Sequence, residues 1–350
     1  MRRDMKPMLA RLVRELPTEG YVYEPKWDGF RCLALRDGDK AELSSRHERP
    51  LARYFPELTA AVCRLEPRRF VVDGEVLVVI DGRFDFEALM GRLHPSASRV
   101  RELAGRSPAL FVAFDLIRLG DEDLADQPFV ERRRKLLEVM QALGPPLFVT
   151  PATDDCRVAM QWLEDFRGHG LDGVVAKRPE LRYEPGVRAM LKVKHERTAE
   201  CVVAGLRAAE DAPEVVALML GLYRDDGSLE HIGVASSFAK RARHQLARDL
   251  APLVGGLEGH PWEHGFLRSG GAMGRLKGAA GRWVPGMPMD WIPVAPERVC
   301  EVSYGQVDGY RLRHPAKFVR WRSDREPASC RLEQLQVSAP SLDQLLPASR

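Results

Sequence analysis

Glu24-Pro25-Lys26-Trp27-Asp28-Gly29-Phe30-Arg31 lies between two apolar runs, Tyr21-Val22-Tyr23 before it and Cys32-Leu33-Ala34-Leu35 after it. It reads as a lysine held in a turn between two strands, with Glu24 two residues before it and Asp28 two after it. Pro25 stiffens the approach, and Gly29 permits a tight turn or a close approach to a ligand. Confinement of this kind suits an amine that must meet a reacting atom in one geometry. The same residues also describe a charged surface hairpin, so the rest of the chain must decide.

Working outward, Asp37-Gly38-Asp39 marks a hairpin turn into a strand over 41–46 that ends in Ser44-Ser45-Arg46. Pro56 opens a helix on which Leu58, Val62 and Leu65 recur at helical spacing. A β-rich run follows over 70–80 and carries Asp73-Gly74-Glu75, then a short helix over 84–93. The apolar strand expected over 110–117 is interrupted only by Asp115. A basic amphipathic helix is expected over 129–143, with Leu136, Leu137, Met140 and Leu143 inside and residues 132–135 on a solvated face. Asp154 or Asp155 caps a helix bearing Val158, Trp162, Leu163 and Phe166, and two strands follow over 173–177 and 190–194.

From about residue 199 the pattern changes to short strand-like runs with one helix near 239–250. That composition fits a small barrel such as the oligonucleotide-binding (OB) fold. The boundary is placed within 196–200, giving domains of 1–198 and 199–350. A glycine-rich stretch over 265–289 carries Arg268, Arg275, Lys277 and Arg282 and no acidic residue, and it reads either as an arm for DNA phosphates or as a surface loop whose charges serve solubility.

The 350 residues fit two domains, and contents of 45% hydrophobic and 29% charged describe an ordinary globular protein. A net charge of +3 permits nucleic acid as a partner without arguing for it. The six cysteines, Cys32, Cys63, Cys156, Cys201, Cys300 and Cys330, form no Cys-x-x-Cys pair, which argues against zinc clips and a disulfide framework. No apolar run is long enough to cross a membrane, and Met1-Arg2-Arg3-Asp4 lacks a hydrophobic signal segment. A cytoplasmic, nucleoid-associated monomer is expected. Two motif matches are discarded. Gly168, Gly170 and Gly173 fit a dinucleotide fingerprint but follow a helix and enter a strand, the reverse of what phosphate binding needs. His260 and His264 have zinc-like spacing, but Pro261 argues against a continuous helix.

Lys26-Trp27-Asp28-Gly29-Phe30-Arg31 resembles motif I, Lys-x-Asp-Gly-x-Arg, of the covalent nucleotidyltransferases, a superfamily of ATP-dependent DNA ligases, RNA ligases and capping enzymes. Further motifs follow in the family order. Ser45-Arg46 resembles motif Ia, Asp73-Gly74-Glu75 motif III, and the run 111–117 around Phe114 motif IIIa. Leu171-Asp172-Gly173-Val174-Val175-Ala176-Lys177 resembles motif IV, with Asp172 where most relatives carry Glu. Leu191-Lys192-Val193-Lys194 resembles motif V, and the region 314–325, ending in Asp324-Arg325, resembles motif VI of DNA ligases. The set spans residues 24–325, and it is most similar to the short bacterial ligase C type, then to the ligase module of ligase D. No polymerase or nuclease module and no N-terminal helical DNA-binding domain is expected in this chain.

The resemblance implies an α+β architecture: an adenylation domain of antiparallel sheets with flanking helices, followed by an OB-fold barrel. It implies that Lys26 attacks the α-phosphate of ATP and carries AMP as a phosphoramide. Glu24, Arg31, Arg46, Glu75, Phe114, Lys192 and Lys194 are the implied nucleotide-binding residues, with Phe114 stacked on the purine. Glu75 and Asp172 are implied metal ligands for Mg²⁺ or Mn²⁺, both hard cations suited to carboxylate oxygen. Asp28, Lys177, Asp324 and Arg325 are carried over with their motifs, the last two toward the leaving pyrophosphate. Strand alternation puts Lys192 and Lys194 on one face, where an anion between them would relieve their repulsion. Barrel closure would complete the first step and reopening would admit the nick. The expected partners are nicked or broken duplex DNA and end-joining or repair proteins. An RNA ligase or capping-type guanylyltransferase shares motif I and is the enzymatic rival; a dead nucleic-acid-binding scaffold is the other.

Overall fold

The structure, a computed structural model, describes residues 6–140, 144–166, 171–209, 214–263, 291–336 and 341–346. The chain divides into two compact units, residues 1–195 with 339–350, and residues 196–338.

The first unit opens with β1 (Ala10–Leu12), β2 (Val22–Trp27), β3 (Phe30–Asp37), β4 (Lys40–Ser45) and α1 (Pro56–Val62). Next come β5 (Arg69–Ile80), β6 (Arg83–Phe84), α2 (Phe86–Gly91), α3 (Ala97–Arg106), β7 (Ala109–Leu119) and β8 (Glu122–Asp123). The unit continues with α4 (Phe129–Met140), β9 (Leu147–Val149), α5 (Cys156–Asp165), β10 (Leu171–Lys177) and β11 (Met190–Lys194). They form two sheets. One has the order β1-β11-β10-β2; the other runs β4-β3-β5-β7-β8, with β6 on β5 and β9 on β7.

Side-chain alternation along β5 explains where a site can form. Phe70, Val72, Val76 and Val78 point into one core, shared with Leu58 and Val62 of α1 and Leu136 and Met140 of α4. The other face carries Val71 and Leu77, which enter two separate apolar clusters, with Asp73 and Glu75 between them. Apolar ends therefore hold the strand while its middle presents carboxylates. Asp85 caps α2 by accepting from Ala88 N at 2.8 Å, and Asp155 caps α5 by accepting from Arg157 N at 2.8 Å.

Three expectations are corrected. Lys26 lies inside β2 rather than in the turn, which is made by Asp28 and Gly29. On α4 the basic run is not a solvated face: Arg132 is fully buried, whereas Leu137 is 46% exposed. Arg132 forms a bidentate pair with buried Asp115, at 2.7 and 3.0 Å, so ion pairing overrides the apolar pattern. Third, residues 341–346 do not belong to the barrel. Leu342, Leu345 and Leu346 enter an apolar cluster of the first unit with Trp27, Leu77 and Leu171. The helix α3, capped by Ser96, has no counterpart in the sequence reading.

The second unit contains β12 (Arg197–Ala208), β13 (Val215–Tyr223), β14 (Leu229–Ser236), α6 (Lys240–Leu250) and β15 (Ile292–Tyr304). The short β16 (Val307–Asp308) and β17 (Arg311–Leu312) precede β18 (Ala316–Trp321). Five strands close into a barrel in the order β12-β13-β14-β18-β15, with β14 and β18 parallel and the other neighbours antiparallel. α6 falls in the chain between the third and fourth barrel strands. This is the OB-fold topology expected from the sequence. The stretch over 265–289, His264, Leu143, Gly168 and Gly170 lie outside the described residues.

Candidate active site

A cavity of about 330 Å³ opens in the first unit, lined by Glu24, Lys26, Arg31, Arg46, Glu75, Phe114, Lys177 and Lys192 among others. Six strands and the segment after β4 bring these side chains together. β2 supplies Glu24 and Lys26, β3 Arg31, β5 Glu75, β7 Phe114, β10 Lys177 and β11 Lys192, and Arg46 follows β4.

Lys26 is positioned by a bulge in its neighbour. β10 pairs with β2 through Leu171↔Trp27 and Gly173↔Lys26, leaving Asp172 as the extra residue. Gly173 has φ +142°, and a Cβ there would lie 1.9 Å from Val193 O, so no other residue fits. Gly173 also faces Lys194 across β11. The result is that Asp172 Oδ2 sits 2.6 Å from Lys26 Nζ and 2.6 Å from Lys194 Nζ. Burial opposes ionisation of Asp172, but Lys26 and Lys194 together hold its carboxyl below the usual range. Lys192 is lowered from its ordinary value by burial, then by Lys26 and Lys194. The crowding of ammonium groups at this wall is thus balanced by one carboxylate.

Arg31 is anchored by its own set of partners. Its Nε and Nη2 each donate to Asp73 at 2.6 Å, and Nη2 also donates to Met8 O at 3.1 Å. Tyr183 donates its hydroxyl to Asp73 Oδ2 at 2.6 Å and accepts from Met8 N at 3.1 Å, closing the ring. The Arg31 guanidinium lies 4.5 Å from the Phe114 ring centroid. Lys177 Nζ lies 5.3 Å from the same ring. Glu75 is half-buried, and its carboxyl is pushed up to about 8 by burial, against the pull of Arg31 and Lys26 and with a further push from Asp28.

A buried ionic network joins two of the lining residues, Glu24 and Lys177. Glu24 receives Arg133 Nη1 at 2.8 Å and Lys177 Nζ at 2.8 Å, and Lys177 also donates to Phe114 O at 3.0 Å. Lys177 therefore orients Glu24 and the Phe114 backbone. Asp324 and Arg325 belong to the second unit, where Asp324 pairs with Arg322 at 2.7 Å and Arg325 with Glu200 at 2.6 Å. The sequence reading missed Tyr183, Asp73 as the partner of Arg31, Arg133, Arg188 and the lining residues Pro7, Leu9 and Ala10. Asp73 stands within a quoted motif; the others have no local signal, because each acts through segments distant in the chain.

Comparison with known proteins agrees with this geometry. Residues 5–194 match the family model described as ATP dependent DNA ligase domain, and residues 211–325 the ATP dependent DNA ligase C terminal region. The chain is 46% identical over 352 residues to DNA ligase C of Mycobacterium tuberculosis, covering 99% of this chain and 98% of that protein. It is 47% identical over 333 residues to DNA ligase C2 of Mycolicibacterium smegmatis, covering 95% and 94%. A solved structure of mycobacterial DNA ligase D complexed with ATP and MES is 26% identical with a TM-score of 0.50, covering 94% of this chain and 98% of that one. A lysine-centred cavity in one unit and an OB-fold in the other define a nucleotidyltransferase architecture. Within that class, the chain belongs to the ATP-dependent DNA ligases.

Proposed function

We propose that this DNA ligase seals 5′-phosphate/3′-hydroxyl breaks in duplex DNA through a lysyl-AMP intermediate on Lys26, in DNA repair. The observation that carries the reading is Lys26 Nζ held 2.6 Å from Asp172 at the wall of a cation-lined cavity. In the first step the Lys26 nitrogen bonds to the α-phosphorus of ATP, the bond to the β-phosphate oxygen breaks, and pyrophosphate leaves. The adenylate passes to a 5′-phosphate, and a 3′-hydroxyl then displaces AMP.

Lys192, Lys194 and Arg46 offer positive charge to the triphosphate. Arg31, held by Asp73 and Met8 O, and Glu75 face the nucleoside, and the Phe114 ring offers a stacking surface for the base. Mycobacterial ligase D, similar to this chain, was solved with ATP. A divalent metal, Mg²⁺ or Mn²⁺, fits the donor chemistry. Glu75 is a carboxyl destabilised by burial, and the anchoring of Arg31 to Asp73 leaves Glu75 suited to a cation. Among the described residues no cluster of three or more His, Cys, Asp or Glu can hold a metal alone. Glu75 and Asp172 would share it with phosphate oxygens and water, the usual coordination of Mg²⁺, where it would neutralise phosphate charge. Among the described residues no helix is long and apolar enough to cross a membrane. We take the enzyme to act as a monomer at the nucleoid, with end-joining or repair proteins as partners.

The test is labelling with ATP radiolabelled at the α-phosphate, followed by nick sealing. Lys26→Ala should form no AMP adduct and seal no ordinary nick, yet seal a nick that already carries 5′-AMP. An adduct that persists in Lys26→Ala would remove the nucleophile assignment, and labelling by GTP alone would favour a capping-type enzyme.

A further inference from the structure

One apolar cluster backs three charged residues of the site at once. Trp27 follows Lys26, Leu171 precedes Asp172, and Leu77 lies two residues beyond Glu75; all three are in this cluster with Val112 and Phe166. The remaining buried members are Leu342, Leu345 and Leu346, exposed by only 1%, 7% and 6%. The described C-terminal segment therefore returns to the first unit after the whole of the barrel and completes the packing behind the nucleophile. Leu342 N donates to Gly82 O at 2.8 Å, and the Ser341 hydroxyl donates to the same oxygen at 3.4 Å. These bonds fasten the segment to the turn between β5 and β6. On the far side, the Trp27 indole Nε1 donates to Thr150 Oγ1 at 2.9 Å, so the ring is fixed from two directions.

We infer that the C-terminal segment is a positioning element for transfer of AMP to Lys26. Its leucines hold Trp27 and Leu171 in the register that aims Lys26 and Asp172 at each other. Trp27 and Leu171 are direct partners across β2 and β10, at the irregularity that makes Asp172 bulge. Emptying the cluster on one side lets this pair shift, and displacement of a reacting group by about 1 Å costs about 10²-fold in rate. A terminal segment held by a few side chains is also an element that detaches before the unit unfolds. The inference rests on the proposed role of Lys26, and it adds a residue set outside the lining of the cavity.

The experiment uses the full chain with Leu342→Ala, the Leu345→Ala/Leu346→Ala double variant and the volume-conserving Leu342→Met, beside a chain ending at Ser338. Single-turnover AMP transfer is measured against ATP concentration, with circular dichroism to confirm folding. The alanine variants should lower the maximal transfer rate by about 10- to 10²-fold, leave the half-saturating ATP concentration within about 2-fold, and regain the rate in Leu342→Met. The shortened chain should lose transfer and recover part of it when a peptide of residues 339–350 is added. Folded alanine variants with wild-type transfer rates would overturn the inference, as would a loss that only tracks the folded fraction. If wild-type enzyme forms its adduct on a residue other than Lys26, the proposed function fails instead.

Discussion

Asp172 is the residue whose role changes most between sequence and structure. One methylene shorter than a glutamate, it reads in the sequence as a metal ligand with reduced reach. In the structure Asp172 is the extra residue of the bulge in β10, and its carboxylate bridges two ammonium groups. Asp172→Asn should lower single-turnover AMP transfer by about 10²-fold, because it removes the charge that holds Lys26 and Lys194 together. Asp172→Glu should stay within about 10-fold and shift the preference between Mg²⁺ and Mn²⁺, since its carboxylate stands one methylene further out. Rapid-quench measurement across metal concentrations checks both. Wild-type rates in Asp172→Asn would make the residue structural. Phe114 shows the opposite case: its aromatic character is legible in the sequence, but its two cationic neighbours, Arg31 and Lys177, come from other strands.

Among the elements, β14 carries a histidine that couples barrel stability to pH. His231 is buried against Trp262, ring centroids 5.3 Å apart. Burial, then the nearby Arg311, depresses it to about 3, so it is neutral in the folded barrel at neutral pH. An unfolded histidine titrates near 6.5. Between about 3 and 6.5 the unfolded chain binds the extra proton, so stability falls as pH falls through that window. From pH 7 to pH 5 the loss is about 2 kcal/mol. His231→Gln should remove that part of the acid slope, whatever it does to stability at pH 7. Urea unfolding of both proteins at several pH values, followed by tryptophan fluorescence, measures the difference; parallel slopes would mean His231 is protonated in the fold. In α4 the apolar spacing reads correctly as helix, yet Arg132 faces inward because Asp115 waits on β7.

For the molecule as a whole, 53 Lys and Arg against 50 Asp and Glu leave too little net charge to hold DNA by bulk attraction. Local clusters must do it. The basic, acid-free stretch over 265–289 lies outside the described residues, and we propose it as a DNA arm on its composition. Alanine at Arg268, Arg275, Lys277 and Arg282 should weaken nick binding and lower the salt slope by about one unit for each phosphate no longer neutralised. AMP transfer to Lys26 should stay near normal. Nick affinity at several salt concentrations, read beside ATP labelling, is the measurement. Unchanged affinity at every salt would return the stretch to a solubility role.

The amino-acid sequence alone determined the two-domain order and the strands that carry Glu75, Lys192 and Lys194. Those are local properties: alternation within a strand and residue type at fixed spacing survive in any correct fold. Tertiary structure decided which charges meet. Arg31 chose Asp73, Lys177 chose Glu24, and the last leucines left the barrel to pack behind Trp27, all through pairings between segments far apart in the chain. Burying an unpaired charge costs more than misplacing an apolar side chain at the surface, so each buried ion finds its partner across the fold rather than along the sequence.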